Sequence, residues 1–223
     1  MSRFFDLMLA TVGLVVLCPL LIPVAVVLRL TGEGEVFFRQ QRVGRDGRMF
    51  GLLKFATMLK DSPNIGTGTI TTRDDPRVLP FGKFLRATKI NELPQLLNIL
   101  KGDMSVIGPR PQTQRCFDAF PARSQAEIVK VRPGLSGVGS IVFRGEEEMM
   151  ADAEDADRLY DEVIMPYKGR LEEWYVANQS VRLYFLLIFL TGWVVVFPRS
   201  SLHWRVLKGL PEGPEELKQW FTV

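Results

Sequence analysis

Asn91-Glu92-Leu93-Pro94-Gln95-Leu96-Leu97-Asn98-Ile99-Leu100-Lys101-Gly102-Asp103-Met104-Ser105-Val106-Ile107-Gly108-Pro109-Arg110-Pro111 is the stretch on which the reading of this chain turns. Ile90, Leu93, Leu97 and Leu100 recur at helical spacing and predict a helix with that face on a core. Proline is tolerated only in a helix's first turn, so Pro94 sets the start, with Asn91 as N-cap and Glu92 as the first helical residue. Glu92 would then sit at the positive end of the helix dipole, where a carboxylate or bound phosphate is favoured by roughly 0.3–1 kcal/mol. Asp103, after Gly102, is a metal-ligand candidate with a turn or capping role as its alternative. Pro109 and Pro111 restrict the backbone around Arg110, and a rigidly held guanidinium suits bidentate phosphate binding. The bland alternative is a turn arginine paired with a neighbour.

The chain has 223 residues, enough for one sizeable core, and the length favours a single catalytic unit with membrane attachments. A net charge of +3 is too small to argue for nucleic acid as a partner. Arg29, Arg39, Arg42, Arg45 and Arg48 crowd the segment after the first apolar run, which the positive-inside tendency places in the cytoplasm. Cys18 and Cys116 have neither disulfide-framework nor metal-pair spacing, and a reducing compartment is the simpler reading. His203 is the only histidine and lies in the C-terminal tail, which argues against a Ser/His/Asp triad or histidine-bound zinc. An acid or base must then be Asp, Glu, Lys or Tyr.

Met8 to Leu30 is apolar enough for a membrane span of roughly 20 residues, but Pro19 and Pro23 each remove a helix hydrogen bond. A sharp break there leaves halves of about 11 residues, reaching about 16 Å into a core roughly 30 Å thick. The residues leave open whether the segment dips in and returns to the cytoplasmic face or spans as a kinked helix. Val36 to Phe38 and Met49 to Phe55 flank Gly44-Arg45-Asp46-Gly47, and Asp-Gly between short apolar runs predicts a β-hairpin. Ser62 to Thr72, rich in Gly, Thr, Ser and Asn, predicts a mobile loop.

These segments together resemble the bacterial sugar transferase family, the monotopic phosphoglycosyl transferases that move a sugar phosphate from a UDP-sugar to a polyprenyl phosphate. The resemblance rests on Asn91 to Pro111, on Phe38-Arg39-Gln40-Gln41-Arg42-Val43-Gly44, on Lys54-Phe55-Ala56-Thr57-Met58 and on Arg73-Asp74-Asp75-Pro76-Arg77-Val78 with Gly82, Phe84 and Arg86 following. It extends to Val131-Arg132-Pro133-Gly134-Leu135-Ser136-Gly137. It implies catalytic roles at positions 91 and 92, substrate contacts from Lys54, Arg86, Arg110 and Arg132, and a Mg²⁺ site at Glu92 and Asp103. The implied partners are membrane lipid, polyprenyl phosphate and a UDP-sugar, and a homodimer is left open.

This chain departs from the family pattern in several places. Members generally have Asp-Glu where Asn91-Glu92 stands, and that aspartate attacks the β-phosphate of the UDP-sugar. An amide lacks the charge and the nucleophilic oxygen. Glu92 as nucleophile, direct attack by acceptor phosphate, a catalytically silent relative and an aspartate-to-asparagine trapped form all stay open. Ala56 replaces a frequent arginine, Cys18-Pro19 stands for Ser-Pro, and Val138-Gly139-Ser140 replaces Trp/Leu-Ala-Gln.

In the C-terminal third, the acids from Glu146 to Glu162 predict a solvated helical face. Leu183 to Phe197 is short for a straight span and suits a buried or interfacial helix. Trp193, Trp204, Trp220 and Phe221 with Arg199, Arg205 and Lys208 predict amphipathic membrane contacts, ended by Pro211 and Pro214. The expected fold is α+β and mostly α, with a short hairpin, a re-entrant membrane helix and interfacial helices; no repeated strand-helix units support a Rossmann sheet. Residues 1–35 are assigned to the N-terminal membrane helix, 36–180 to a cytoplasmic catalytic domain and 181–223 to C-terminal membrane-associated helices.

Overall fold

A computed structural model of the chain describes residues 2–62, 75–151, 153, 155–198 and 200–221. The loop expected at 62–72 lies outside the described residues apart from Ser62, as do Arg73, Asp74 and Arg199. The chain divides into two compact units: Met1–Asp6 with Arg42–Phe50 and Asp103–Val223, and Leu7–Gln41 with Gly51–Gly102. The fold is mostly helical with short strands, an α+β mixture as the sequence predicts.

The second unit carries most of α1 (Ser2–Leu30), which stays helical through Pro19 and Pro23. The expected break into two short halves does not occur. At 29 residues the helix is long and apolar enough to cross a membrane, and most of its large side chains, from Phe4 through Val15 and Val16 to Leu30, are exposed. One inner edge, Val24 and Leu28, packs with Phe55 and Leu85. Strand β1 (Phe37–Val43) pairs with β2 (Met49–Phe55). Asp46 and Gly47 turn the chain between them with φ of 57° and 70°, the left-handed geometry that Asp-Gly favours. Helix α2 (Pro80–Ala87) begins on its proline and passes tightly over the β2 exit, since a Cβ on Gly82 would lie 2.2 Å from the Thr57 carbonyl oxygen. Asp75 and Arg77 form a buried ion pair just before it, and Arg77 Nη1 also donates to the Ser62 carbonyl at 2.8 Å.

Helix α3 (Gln95–Lys101) closes on Gly102, whose φ of 101° only glycine adopts without strain. Its inward face is Gln95, Leu96, Asn98 and Ile99. Leu97, expected in the core, is 42% exposed. The expectation assigned the apolar stripe to the wrong side because two of the residues facing inward are polar amides. Asn98 explains why: its Oδ1 accepts the Leu53 N–H at 2.9 Å and its Nδ2 donates to the Gly51 carbonyl at 2.9 Å. The side chain therefore substitutes for a strand neighbour along β2, satisfying backbone groups that would otherwise be buried unpaired.

In the first unit, β3 (Ser105–Ile107) pairs in parallel with β4 (Gly134–Ser136). Between them in sequence lie α4 (Gln114–Asp118) and α5 (Ala122–Ile128), and after them α6 (Val138–Val142), α7 (Glu146–Ala151) and α8 (Ala156–Arg158). A π turn, Leu159–Ile164, leads into α9 (Met165–Ala177), which packs on α5 and α6. Gly169 permits that approach, since a Cβ there would meet Ser124 Oγ at 2.5 Å. Helix α10 (Val181–Val196) buries Leu183, Tyr184, Leu187, Leu190 and Val194, and exposes Phe185, Phe189, Val195 and Val196. Asp6 at the head of α1 is buried, and its Oδ1 accepts the Ser105 hydroxyl, the Val106 N–H and the Tyr184 hydroxyl at 2.8, 3.0 and 2.8 Å.

Two further expectations change. Glu146 is not simply solvated, because it receives both bonds of the buried Lys168 ammonium at 2.8 and 2.9 Å. Pro211 and Pro214 do not end the C-terminal region. After α11 (Leu202–Val206) comes α12 (Glu215–Phe221), whose Phe221 ring packs on Phe143, Tyr167 and Trp204 at centroid distances of 5.7, 5.8 and 5.3 Å.

The β3–β4 pair is closed by glycines. A Cβ on Gly134 would lie 2.1 Å from the Gly108 nitrogen, and one on Gly137 2.2 Å from the Gly108 oxygen. Gly134→Ala is expected to cost about 1–3 kcal/mol by overpacking, lowering the thermal midpoint of detergent-solubilised protein by several degrees. Gly192→Ala in α10, with open space around the new methyl, should hold or raise it. Equal midpoints would show that these backbones are not in contact.

Candidate functional site

Two groups of residues carry the chemistry the sequence singled out, one in each unit. In the second unit, Lys89 turns the chain with φ of 58°, and Ile90–Glu92 forms a single 3-10 turn. Helix α3 then starts afresh behind Pro94, which occupies its N-cap position. Asn91 is therefore not the helix cap, and Glu92 is not its first residue. Proline cannot donate to the preceding turn, so the chain completes a tight turn before the helix begins.

The inward Asn91 side chain is 6% exposed. Its Oδ1 is buried without a hydrogen-bond partner, and the same holds for Nε2 of Gln95, one helical turn on. Buried amides are normally satisfied; two orphans at i and i+4 mark a polar spot with unspent hydrogen-bonding capacity. Glu92 and Lys54 are each partly buried. Lys54 follows Leu53 on β2, where Asn98 clamps the strand. Arg86 sits in the last turn of α2 with Nη1 3.6 Å from Met58 Sδ.

In the first unit, Gly108-Pro109-Arg110-Pro111 and Arg132-Pro133-Gly134-Leu135-Ser136-Gly137 form one object. The Ser105 N–H donates to the Pro133 carbonyl, the Gly134 N–H to Pro109 and the Gly108 N–H to Ser136, at 2.9, 2.8 and 2.9 Å. On the other side, Arg42 Nη1 donates to the Pro111 carbonyl at 3.3 Å and the Val43 N–H to Gln112 at 2.9 Å. Arg110 thus stands on a backbone held from both flanks. The void under it, shared with Pro109, Pro111, Pro133 and Phe117, is about 10 Å³, room for at most one water. Arg132 and Asp103 are partly buried at the edges of this strand pair.

Beneath the same loop lies a carboxylate that the sequence reading missed. Glu172 of α9 is 2% exposed. Burial pushes its carboxyl up to about 7, against the lowering effects of Lys168 and of the Gly139 and Arg110 backbone N–H groups it accepts. Its only sequence signal is the i, i+4 spacing to Lys168, and the adjacent Glu173 masks even that by pairing outward with Arg123 at 3.1 Å.

A cleft of about 770 Å³ lined by Arg123, Tyr167, Arg170, Glu173 and Trp174 among others contains none of the candidate residues. Among the described residues no group of three or more His, Cys, Asp or Glu side chains could cage a metal. A hard cation such as Mg²⁺ needs only one or two carboxylates and keeps the rest of its coordination for water and substrate phosphate.

The family described as Bacterial sugar transferase matches residues 1–198. The UDP-N-acetylgalactosamine-undecaprenyl-phosphate N-acetylgalactosaminephosphotransferase of Aeromonas hydrophila is 35% identical, covering 85% of this chain and 42% of its own length. The UDP-glucose:undecaprenyl-phosphate glucose-1-phosphate transferase of Escherichia coli is 34% identical, over 85% of this chain and 39% of its own. The exopolysaccharide production protein ExoY of Sinorhizobium fredii is 32% identical over 90% of this chain and 87% of its own. The chain thus spans about two fifths of the first two relatives.

Because Glu172 binds its proton more tightly in the folded state, the stability it contributes is full below about pH 4.5 and is lost as pH rises through about 7. The full swing is roughly 3 kcal/mol. Thermal midpoints measured from pH 5 to 8 should fall for the native protein relative to Glu172→Gln, which lacks the titration. Parallel curves would contradict this placement of Glu172.

Proposed function

Since the chain belongs to the bacterial sugar transferase family, we propose that it moves a sugar 1-phosphate from a UDP-sugar to a polyprenyl phosphate, releasing UMP, as the first membrane step of a surface glycan. The observation that carries this reading is the Arg110 loop, locked to the Arg132–Gly137 segment by glycine contacts that leave its guanidinium on a rigid base. It is supported by relatives named for this transfer with undecaprenyl phosphate.

In the reaction, an oxygen attacks the β-phosphorus as the bond to the bridging oxygen of UMP breaks. Arg110, Arg132, Lys54 and Arg86 bind the pyrophosphate charge. Glu92 and Asp103 would hold Mg²⁺, which neutralises developing charge on the UMP oxygens when bound. Asn91 has no nucleophilic oxygen, so the attack falls to Glu92 or to the acceptor phosphate itself. The buried, unpartnered Asn91 Oδ1 suits a group that orients substrate through a hydrogen bond. It equally favours a second reading, a membrane-bound relative that binds nucleotide sugar or scaffolds later transferases without turnover.

For the membrane, we propose that α1, helical throughout in this structure, bends in lipid at Pro19 and Pro23, where helix hydrogen bonds are missing, so that both its ends face the cytoplasm, and that the exposed apolar faces of α1 and of α10 lie in lipid. With the catalytic residues cytoplasmic, a Ser2→Cys probe should react with an impermeant thiol reagent only after spheroplast lysis. Labelling of intact spheroplasts would establish a spanning helix instead.

The transfer is tested by UMP release from a panel of UDP-sugars with Mg²⁺, with and without polyprenyl phosphate, for the native chain and Asn91→Asp. The expected result is acceptor-dependent UMP from the native chain. Activity confined to the aspartate form would make position 91 a disabled nucleophile site, and silence from both would favour the scaffold reading.

A further inference from the structure

Glu172 is a buried acid that loses stability for the protein when it ionises, and the transfer chemistry proposed above makes no use of it. What it touches is specific. Its carboxylate accepts the N–H of Arg110, the residue between Pro109 and Pro111, and the N–H of Gly139, in the first turn of α6 just past the Arg132–Gly137 segment. Gly139 has to be glycine for this, because a Cβ there would lie 2.4 Å from Glu172 Oε1. Glu172 Oε2 has no hydrogen-bond partner. Arg110 lies between two residues that have no backbone N–H, so its own N–H is the only backbone donor across those three positions.

We propose that Glu172 is a positioning residue for phosphate recognition: by holding the Arg110 and Gly139 amides together it fixes the backbone on which the Arg110 guanidinium is presented. This rests on the reading of Arg110 as a phosphate ligand. The titratable groups around the carboxylate are Lys168 on its own helix, Glu146 from α7, which takes the Lys168 ammonium, and the neutral Tyr175 hydroxyl, which donates to the Ile107 carbonyl on β3. Lys168 is committed to Glu146 at 2.8 Å, so the two backbone amides are the donors aimed at Glu172. An ionised carboxylate grips them more strongly than a neutral one, which couples the loop to pH near neutrality.

The test uses the full chain in nanodiscs. Hydrogen exchange across 108–112 reports only Gly108, Arg110 and Gln112, because the prolines carry no amide proton. Glu172→Leu should speed exchange there and across 137–143 by about tenfold, and weaken binding of UDP with Mg²⁺ by a similar factor, with exchange in α10 unchanged as the folding control. Glu172→Gln keeps an acceptor but cannot ionise; its UMP-forming activity should lose the ionisation near neutral pH that the native chain shows. Unchanged exchange and UDP affinity in Glu172→Leu, or an identical pH profile in Glu172→Gln, would overturn the proposal. If the native chain releases no UMP at all, the exchange and UDP arms still decide it, and the failure belongs to the transfer reading.

Discussion

Two backbones cross in van der Waals contact at Gly108, Gly134 and Gly137, and much of the first unit follows from that crossing. No side chain larger than hydrogen fits there, so β3 and β4 approach closely enough to exchange backbone hydrogen bonds although each strand has only three residues. Such short strands are not stable alone. They are held by what surrounds them: Asp6 gathers Ser105, Val106 and Tyr184 at one end, the Tyr175 hydroxyl donates to Ile107, and Ser136 shares a hydrogen bond with Thr191 of α10 at 2.8 Å. For the proposed phosphate contact, the consequence is an arginine on a loop with little freedom, which would lower the entropic cost of ordering it around a phosphate.

Polar residues in buried places recur in both units and share a logic. Asn98 replaces a strand, Asp6 ties α1 to β3, and Glu172 ties the Arg110 loop to α6. Each satisfies backbone donors or acceptors that apolar residues would leave unpaired, and each gives a geometry that packing alone would not specify. Asn91 and Gln95 differ, since each keeps a buried polar atom without a partner. Proteins retain such costs where activity needs them, and the position of the pair, next to Glu92 at the start of α3, is consistent with a substrate that completes the hydrogen bonds.

Local chemistry was legible in the sequence wherever one residue type has one cheap conformation. Asp46-Gly47 announced the hairpin, and the proline-flanked Arg110 a rigid loop. The family motifs were also legible as strings, but their meeting in space was not, because nothing in Gly-Pro-Arg-Pro says that its glycine abuts Gly134 and Gly137 far along the chain. Apolar periodicity misled at α3, where Leu97 is exposed and Gln95 and Asn98 are buried; a count of leucines cannot see an amide that binds a strand. Asn91 was misassigned as a cap for a related reason, since the 3-10 turn before Pro94 depends on how Lys89 folds back. Glu172 was hidden by its neighbour Glu173, identical in charge and opposite in direction.

In the proposed transfer the β-phosphate travels with the sugar. Mass spectrometry of the lipid fraction, after incubation with undecaprenyl phosphate, Mg²⁺ and a ¹³C-labelled UDP-sugar, tests it most directly. The predicted product is a labelled sugar joined to the polyprenol through a diphosphate. A labelled sugar joined through a single phosphate would mean glycosyl rather than phosphoglycosyl transfer, and would contradict the account.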